Sequence, residues 1–392
     1  MDNKKKSKDV SLIFTGDIGF DKYMQDRWLD AGLLSPAVQN FFDTGDHVIA
    51  NVEAPLTDQK DNGSHGVFFH AMNPDAVSLL NKIHADVWNI SNNHIMDAGE
   101  DGLTNTRRLA AQNGAFTIGA GLNDIEASEP VYFSAAGGIG MFGVAYMAEC
   151  IPATDSEPGV FRWDDMDKIA ARIREIKETC RWCIVVAHGG EEFAAMPNPY
   201  TRDRYIKYLE LGADIVVAHH PHVIENYETF ADGKAIFYSL GNFIFDTDYQ
   251  RAHPYTDRGV LLKLNLSKDK MTFEALGTRI LRGKEIIVED ALPDIFTDID
   301  AEEYALLSPL SANAFIAEER KKMIYLEPDR FNDAPIDVWN DYFFSEEPDG
   351  YFKDAHMDLA LIIPHAEKAK LQAWEQSKLE AVKEYLLTMA EL

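Results

Sequence analysis

A chain of 392 residues is long for one core, and 46% hydrophobic with 11% aromatic content is ample for a packed interior, so a main domain plus an appendage is expected. Lys and Arg total 37 against 65 Asp and Glu, a net charge of -28, which argues against an unassisted nucleic-acid or anionic-membrane surface because phosphates would be repelled. A small anionic substrate stays open, since a bound metal can reverse the local field.

The run Val10-Ser11-Leu12-Ile13-Phe14-Thr15 reads as a first strand and ends in Gly16-Asp17-Ile18-Gly19. Asp17 thus falls at a strand's C-terminal edge, where open α/β sheets place ligands, or it caps the next helix. A second strand, His47-Val48-Ile49-Ala50, runs into Asn51-Val52-Glu53, with polar groups on alternating positions of one face. His47 and Asp46 read as structural. Residues 57–70 are polar and Gly-rich, a loop. From Asn73-Pro74 to Ile83 the apolar spacing is helical. A third strand, Asp86 to Ile90, ends in Ser91-Asn92-Asn93-His94 with Asp97 close behind. There an amide ligand stands beside an acid or base, and Asp97 is near enough to orient His94.

A helix over Gly102 to Asn113, a short strand at Ala115 to Ile118 and a turn at Gly119-Ala120-Gly121 follow. Val131–Ser134 and Met141–Ala145 read as a hairpin, residues 151–160 as a Pro-containing loop, and Asp164 to Thr179 as an amphipathic helix. Cys180 and Cys183 have redox spacing, but no second pair accompanies them, and a buried structural role is expected. The strand Cys183 to Ala187 ends in His188-Gly189-Gly190-Glu191-Glu192. A loop over 191–200 and a helix over Thr201 to Leu211 lead to the run Asp214 to Val217 and then Ala218-His219-His220-Pro221-His222. On an extended backbone His220 and His222 would point to one side. Residues 259–288 hold short alternating runs, expected to form antiparallel strands completing a second sheet. Beyond about residue 290 helical spacing takes over, in 301–322 and 366–392, and the last stripe is expected to pack on the core.

Five strands thus end in polar residues: Asp17, Asn51/Glu53, Asn93/His94, His188 and His220/His222. Carboxylate, amide and imidazole together, without clustered thiolates, suit one or two divalent Mn, Zn or Fe ions. Two carboxylates are enough to flank or bridge a metal pair, which clamps a phosphate and generates hydroxide. No G-x-S-x-G elbow occurs, so a serine triad is not expected.

These stretches resemble the CapA/PgsA family of poly-γ-glutamate capsule proteins, a branch of the calcineurin-like metallophosphoesterases. The matches are Phe14-Thr15-Gly16-Asp17, Asn51 to Thr57, Ser91-Asn92-Asn93-His94 with Asp97, His188 to Glu192, His220-Pro221-His222-Val223 and Tyr238 to Phe243, in family order over roughly residues 10–285. The resemblance implies a four-layer α/β/β/α sandwich over 9–290; it stops before the C-terminal hundred residues, where the helical spacing leads to the expectation of a helical extension over 291–392 packed on the core. It implies Asp17, Glu53 and His222 at a first metal, Glu53, Asn93, His188 and His220 at a second, and His94 assisting the leaving group with Asp97 behind it. It departs at Gly19, where the wider superfamily has His, and at Glu53, where the bridging ligand is ordinarily Asp. The first position is therefore expected to be the weaker.

Two functions follow: a metal-dependent phosphate-ester hydrolase using metal-bound hydroxide, or an accessory protein binding an anionic polymer such as poly-γ-glutamate. No segment has the roughly 18 apolar residues of a membrane span. The chain as given reads as cytoplasmic, and a chain trimmed of an export signal would read the same.

Overall fold

Strict alternation along the apolar runs sends neighbouring side chains to opposite faces of a sheet, and this sorts the core into layers. The computed structural model describes residues 9–20, 23–59, 69–146, 150–253, 255–289 and 296–308, with short pieces between 320 and 342. In chain order the strands are β1 (Val10–Gly19), β2 (His47–Val52), β3 (Ala85–Asn89), β4 (Phe116–Ile118), β5 (Ala120–Gly121), β6 (Val131–Phe133), β7 (Ile139–Ala145), β8 (Gly159–Val160), β9 (Trp182–His188), β10 (Ile215–His219), β11 (Tyr227–Thr229), β12 (Ala235–Phe237), β13 (Asn242–Phe245), β14 (Arg258–Leu266), β15 (Met271–Leu281) and β16 (Glu285–Val288).

Two sheets result. The first has the order β16-β15-β14-β1-β2-β3-β4, with β13 also paired to β1. Its β1 to β4 run parallel, as strands joined through helices must. The second has the order β11-β12-β10-β9-β7-β6, with β12, β10, β9 and β7 parallel and an antiparallel strand at each edge. The strands of residues 259–288 do not complete the second sheet, as expected above. β14 pairs antiparallel with β1 and carries β15 and β16 outward, extending the first sheet. Alternation specifies which face of a strand is buried but not which strand it joins.

Three apolar clusters separate four layers. Leu12 and Phe14 of β1 meet Ile184, Val186, Ile215 and Val217 of the second sheet in the central cluster. The intervening Ile13 turns outward onto Val38, Leu79, Leu80 and Leu103 of the helices Pro36–Phe42, Val77–Lys82 and Gly99–Gln112. On the far side Val185, Ala187 and Val216 meet Ile169, Ile173, Tyr205 and Tyr208 of the helices Met166–Thr179 and Pro199–Glu210. Each large aliphatic buried in this way contributes about 1.5–3 kcal/mol. The result is the α/β/β/α sandwich.

Smaller adjustments follow from caps. The Asn73 side chain accepts from the Asp75 amide and opens a 3-10 turn before the helix proper begins at Val77. The 151–160 segment contains β8, paired with β5. Cys183 is buried, with its thiol pushed upward by burial, whereas Cys180 at the helix end is only partly buried, short of the buried role expected for both. No helix among the described residues is long and apolar enough to cross a membrane. Residues 301–308 are helical and place Tyr304 and Leu307 against Met196. The 366–392 stripe lies outside the described residues.

Candidate metal centre

The C-terminal ends of β1, β2, β9 and β10 converge between the two sheets. At the end of β1 the chain needs Gly16, because a Cβ there would stand 2.3 Å from the Gly241 carbonyl oxygen. That close approach lets the Asp17 amide donate to Gly241 O at 2.9 Å. Asp17 Oδ1 accepts from Asn51 Nδ2 at 2.7 Å, Asn51 Oδ1 accepts from Asn89 Nδ2 at 2.8 Å, and Asn89 Oδ1 accepts from Ser91 Oγ at 2.6 Å. This buried relay across β1, β2 and β3 fixes the carboxylate. Asn51 therefore buttresses Asp17. Glu53 follows β2 directly, its amide donating to Ile18 O at 2.9 Å.

The imidazoles come from the other sheet. His188 ends β9 in register with His219 at the end of β10. The next residues do not stay extended: His220 and His222 have φ of 100° and 58°, in the left-handed region, with Pro221 between them. The backbone is therefore not extended, yet both rings reach the same centre, with centroids 6.0 Å apart, each joining one of two groups that share Glu53. Glu53, His188 and His220 form one and Asp17, Glu53 and His222 the other, each with ligand atoms within 4.8 Å of one another. Glu53 is common to both, as a bridging ligand would be.

The spacings suit a shared ion better than direct bonds. His188 Nε2 lies 3.6 Å from Glu53 Oε1, His222 Nε2 lies 3.5 Å from the same oxygen, and His222 Nδ1 lies 3.2 Å from Asp17 Oδ2. Two atoms each about 2.0–2.2 Å from one ion, at tetrahedral or octahedral angles, stand about 2.8–3.6 Å apart. Asp17 Oδ2 and His188 Nδ1 are buried with no hydrogen-bond partner among the described residues. Burial pushes the Asp17 carboxyl up, but the His219 and His222 rings, at 3.4 and 3.2 Å, outweigh it and hold the group well below the usual range. Burial, then the neighbouring His220, hold His188 well below its ordinary value, so it presents a lone pair. Burial opposes protonation of His222 too, yet the Asp17 contact raises it. A buried set of carboxylates and imidazoles fits a divalent Mn, Zn or Fe ion.

Asn93 Oδ1 stands 3.0 Å from His188 Nε2, which brings the first sheet's amide to the second sheet's ring. Its Nδ2 is 3.1 Å from His94 Nε2, and His94 Nδ1 is 3.0 Å from Asp97 Oδ2. His94 is thereby held beside the ligand groups by its neighbours on both nitrogens. Asp97 Oδ2 also accepts the His70 amide at 2.8 Å.

Several residues of this neighbourhood escape sequence reasoning. The His70 ring packs edge-on to His94 with centroids 4.3 Å apart. Burial, then His94, push it down to about 3. A lone His in a polar loop carries no signal. His219 Nδ1 lies 3.4 Å from Asp17 Oδ1. Asn242 Oδ1 is 3.0 Å from His222 Nδ1, and Glu192 acts on both His70 and His222. Those two sit inside stretches already singled out, which is the signal that could have found them. At Gly19 a Cβ would meet the Phe245 ring at 2.5 Å. The space that a side chain at position 19 would enter is filled by an apolar ring.

Residues 11–247 match the family model described as bacterial capsule synthesis protein PGA_cap. The chain is similar to the PGA biosynthesis protein CapA of Bacillus subtilis (strain 168), 31% identical over 273 residues, covering 68% of this chain and 70% of that protein. It is similar to the capsule biosynthesis protein CapA of Bacillus anthracis, 28% identical over 263 residues, covering 63% and 62%. A Mycobacterium tuberculosis protein titled "Probable polyglutamine synthesis accessory protein" is 28% identical over 216 residues, covering 51% and 56%. Among solved structures, the crystal structure of TT1561 of Thermus thermophilus aligns with a TM-score of 0.35 at 9% identity, covering 68% of this chain and 99% of that one.

Proposed function

Since the chain belongs to the bacterial capsule synthesis family PGA_cap, we propose that within that family it is a metal-dependent hydrolase acting on a phosphate ester. The observation that carries this reading is the pair of buried ligand groups sharing Glu53. In this reading Asp17, Glu53 and His222 would hold one ion and Glu53, Asn93, His188 and His220 the other. Bound ions would supply Lewis acidity and an activated water at neutral pH.

The chain's own residues orient and move protons. The Asn51 relay aims Asp17, and Asp97 at 3.0 Å keeps a proton on His94 Nδ1. His94 Nε2 faces Asn93 Nδ2. Were Asn93 to turn its amide toward a bound ion, Nε2 would be free to take up a proton from solvent and pass it to the leaving group. A positioned imidazole contributes about 10²–10⁴-fold.

A second reading, an accessory protein that binds an anionic polymer such as poly-γ-glutamate without turnover, is favoured by the Phe245 ring beside Gly19, which denies the first position its imidazole.

Metal analysis of the purified protein with a phosphatase substrate panel tests both. Turnover that His94→Ala lowers by about 10²-fold or more at unchanged metal content supports the hydrolase. Metal loss in that variant would make His94 a ligand. A metal-loaded wild type inert on the whole panel would favour the accessory role.

A further inference from the structure

Residues 296–308 lie beyond 11–247, the stretch that matches the family model, and they run along the β11 edge of the second sheet. Tyr227 N donates to Thr297 O at 3.1 Å, Ile299 N donates to Tyr227 O at 2.9 Å, and Thr229 N donates to Asp298 Oδ1 at 2.9 Å. Asp300 Oδ1 then accepts from the Glu302 and Glu303 amides at 2.9 and 2.8 Å, which starts the helical residues 301–308. Ile299, Tyr304 and Leu307 close over Met196 in one buried cluster. The Tyr304 hydroxyl donates to Pro197 O at 2.9 Å. Its ring lies 4.5 Å from the Arg202 guanidinium, which Glu228 holds at 2.6 and 2.8 Å.

Met196 and Pro197 belong to the segment that leaves His188. Phe193, in the same segment, has a φ of 62°, a left-handed conformation that a bulky side chain keeps only when its surroundings hold it. Phe193 N donates to Pro221 O at 2.8 Å, in the middle of the turn that carries His220 and His222. The Phe193 ring stacks on His253 at 3.8 Å and stands 6.1 Å from the His222 ring. We propose that Tyr304 is a positioning residue for the candidate centre. It fixes the 193–197 segment from outside, and through the Phe193–Pro221 bond that segment fixes the histidine turn. A piece of chain beyond the family match thereby sets the spacing of the imidazoles. The coupling rests on the metal reading only for its zinc readout.

Full-length protein stripped with chelator is compared with Tyr304→Ala, Tyr304→Phe and a packing control, Leu79→Ala, in the helix layer outside the first sheet. Hydrogen exchange at the Phe193 amide should be about tenfold faster in Tyr304→Ala and about threefold faster in Tyr304→Phe, which lacks only the bond to Pro197. It should be unchanged in Leu79→Ala. Zn²⁺ titrated against a chromophoric chelator should bind about tenfold more weakly to Tyr304→Ala and with wild-type affinity to Leu79→Ala. Wild-type exchange at Phe193 in Tyr304→Ala overturns the proposal. Equal acceleration in Leu79→Ala also overturns it, because the effect would then be a general loss of stability. Faster exchange with unchanged zinc affinity overturns it too, since the loop would move without the histidines. Should the wild type bind no zinc, the metal reading falls, and exchange over residues 219–225 decides the coupling: acceleration in Tyr304→Ala supports it and none overturns it. Should Tyr304→Ala fail to fold, unchanged exchange at Phe193 in Tyr304→Phe overturns the proposal.

Discussion

Gly19 and Phe245 offer a test of what keeps a side chain out of position 19, beside the candidate Asp17–Glu53–His222 group. They pair across β1 and β13. A methyl added at Gly19 would lie 2.5 Å from Phe245 Cε2, 2.6 Å from Cδ2 and 3.1 Å from Cζ. The ring is 2% exposed and packs 5.1 Å from the His222 ring, so it has no solvent to swing into. Overpacking of this kind costs about 1–3 kcal/mol, the expected loss for Gly19→Ala in urea unfolding of the chelated protein. Phe245→Ala alone should cost about 3–5 kcal/mol. With the ring gone, the new Cβ has room, and Ala in a strand gains about 0.5–1 kcal/mol over Gly. The substitution at 19 therefore changes sign, with a coupling of roughly 1.5–4 kcal/mol, the relieved overlap plus that gain. Additive effects would show that Phe245 does not occupy the space, and the steric account of Gly19 would be wrong. If it holds, Gly19→His with Phe245→Ala should tighten the weaker metal position about tenfold or more, read by Mn²⁺ calorimetry as one added ligand.

In the unmodified protein, titration with Zn²⁺ or Mn²⁺ should show two unequal affinities; two equally tight sites would mean that another group, with His219 the first candidate, replaces the missing imidazole. Glu53→Gln should lower metal content at both positions and His188→Ala at one only, measured by elemental analysis; equal losses would dismiss the shared-ligand arrangement. Burial raises Glu191 from its usual 4.5 to about 7. The unfolded chain then releases this proton first, so stability in chelator should fall as pH rises from about 4.5 to about 7, by up to about 3 kcal/mol. Glu191→Gln should remove that fall in urea midpoints taken at pH 5 and 7.5, and a variant with the wild-type slope would locate the titration elsewhere.

Strand identity was legible because a strand covered on both faces of its sheet reads as a short continuous apolar run. Leu12, Ile13 and Phe14 announce opposite faces on their own, as do Ile184, Val185 and Val186. The chemistry of the candidate centre was legible for a similar reason: polar residues at the ends of apolar strands have few structural uses, so Asp17, Glu53, His188 and the histidines after β10 stand out. Partnership was not legible. Nothing local says that β14 joins β1 rather than β12, because strand pairing is chosen by the packing of both sheets together. The positive φ of His220 and His222 is likewise a property of the turn after β10, and the two rings enter different groups around the shared Glu53. His70 reaches His94, and Phe245 fills the space beside Gly19, only once distant segments are folded together. A residue's type determines what it can bind, whereas its neighbours across space determine whether anything is there to be bound.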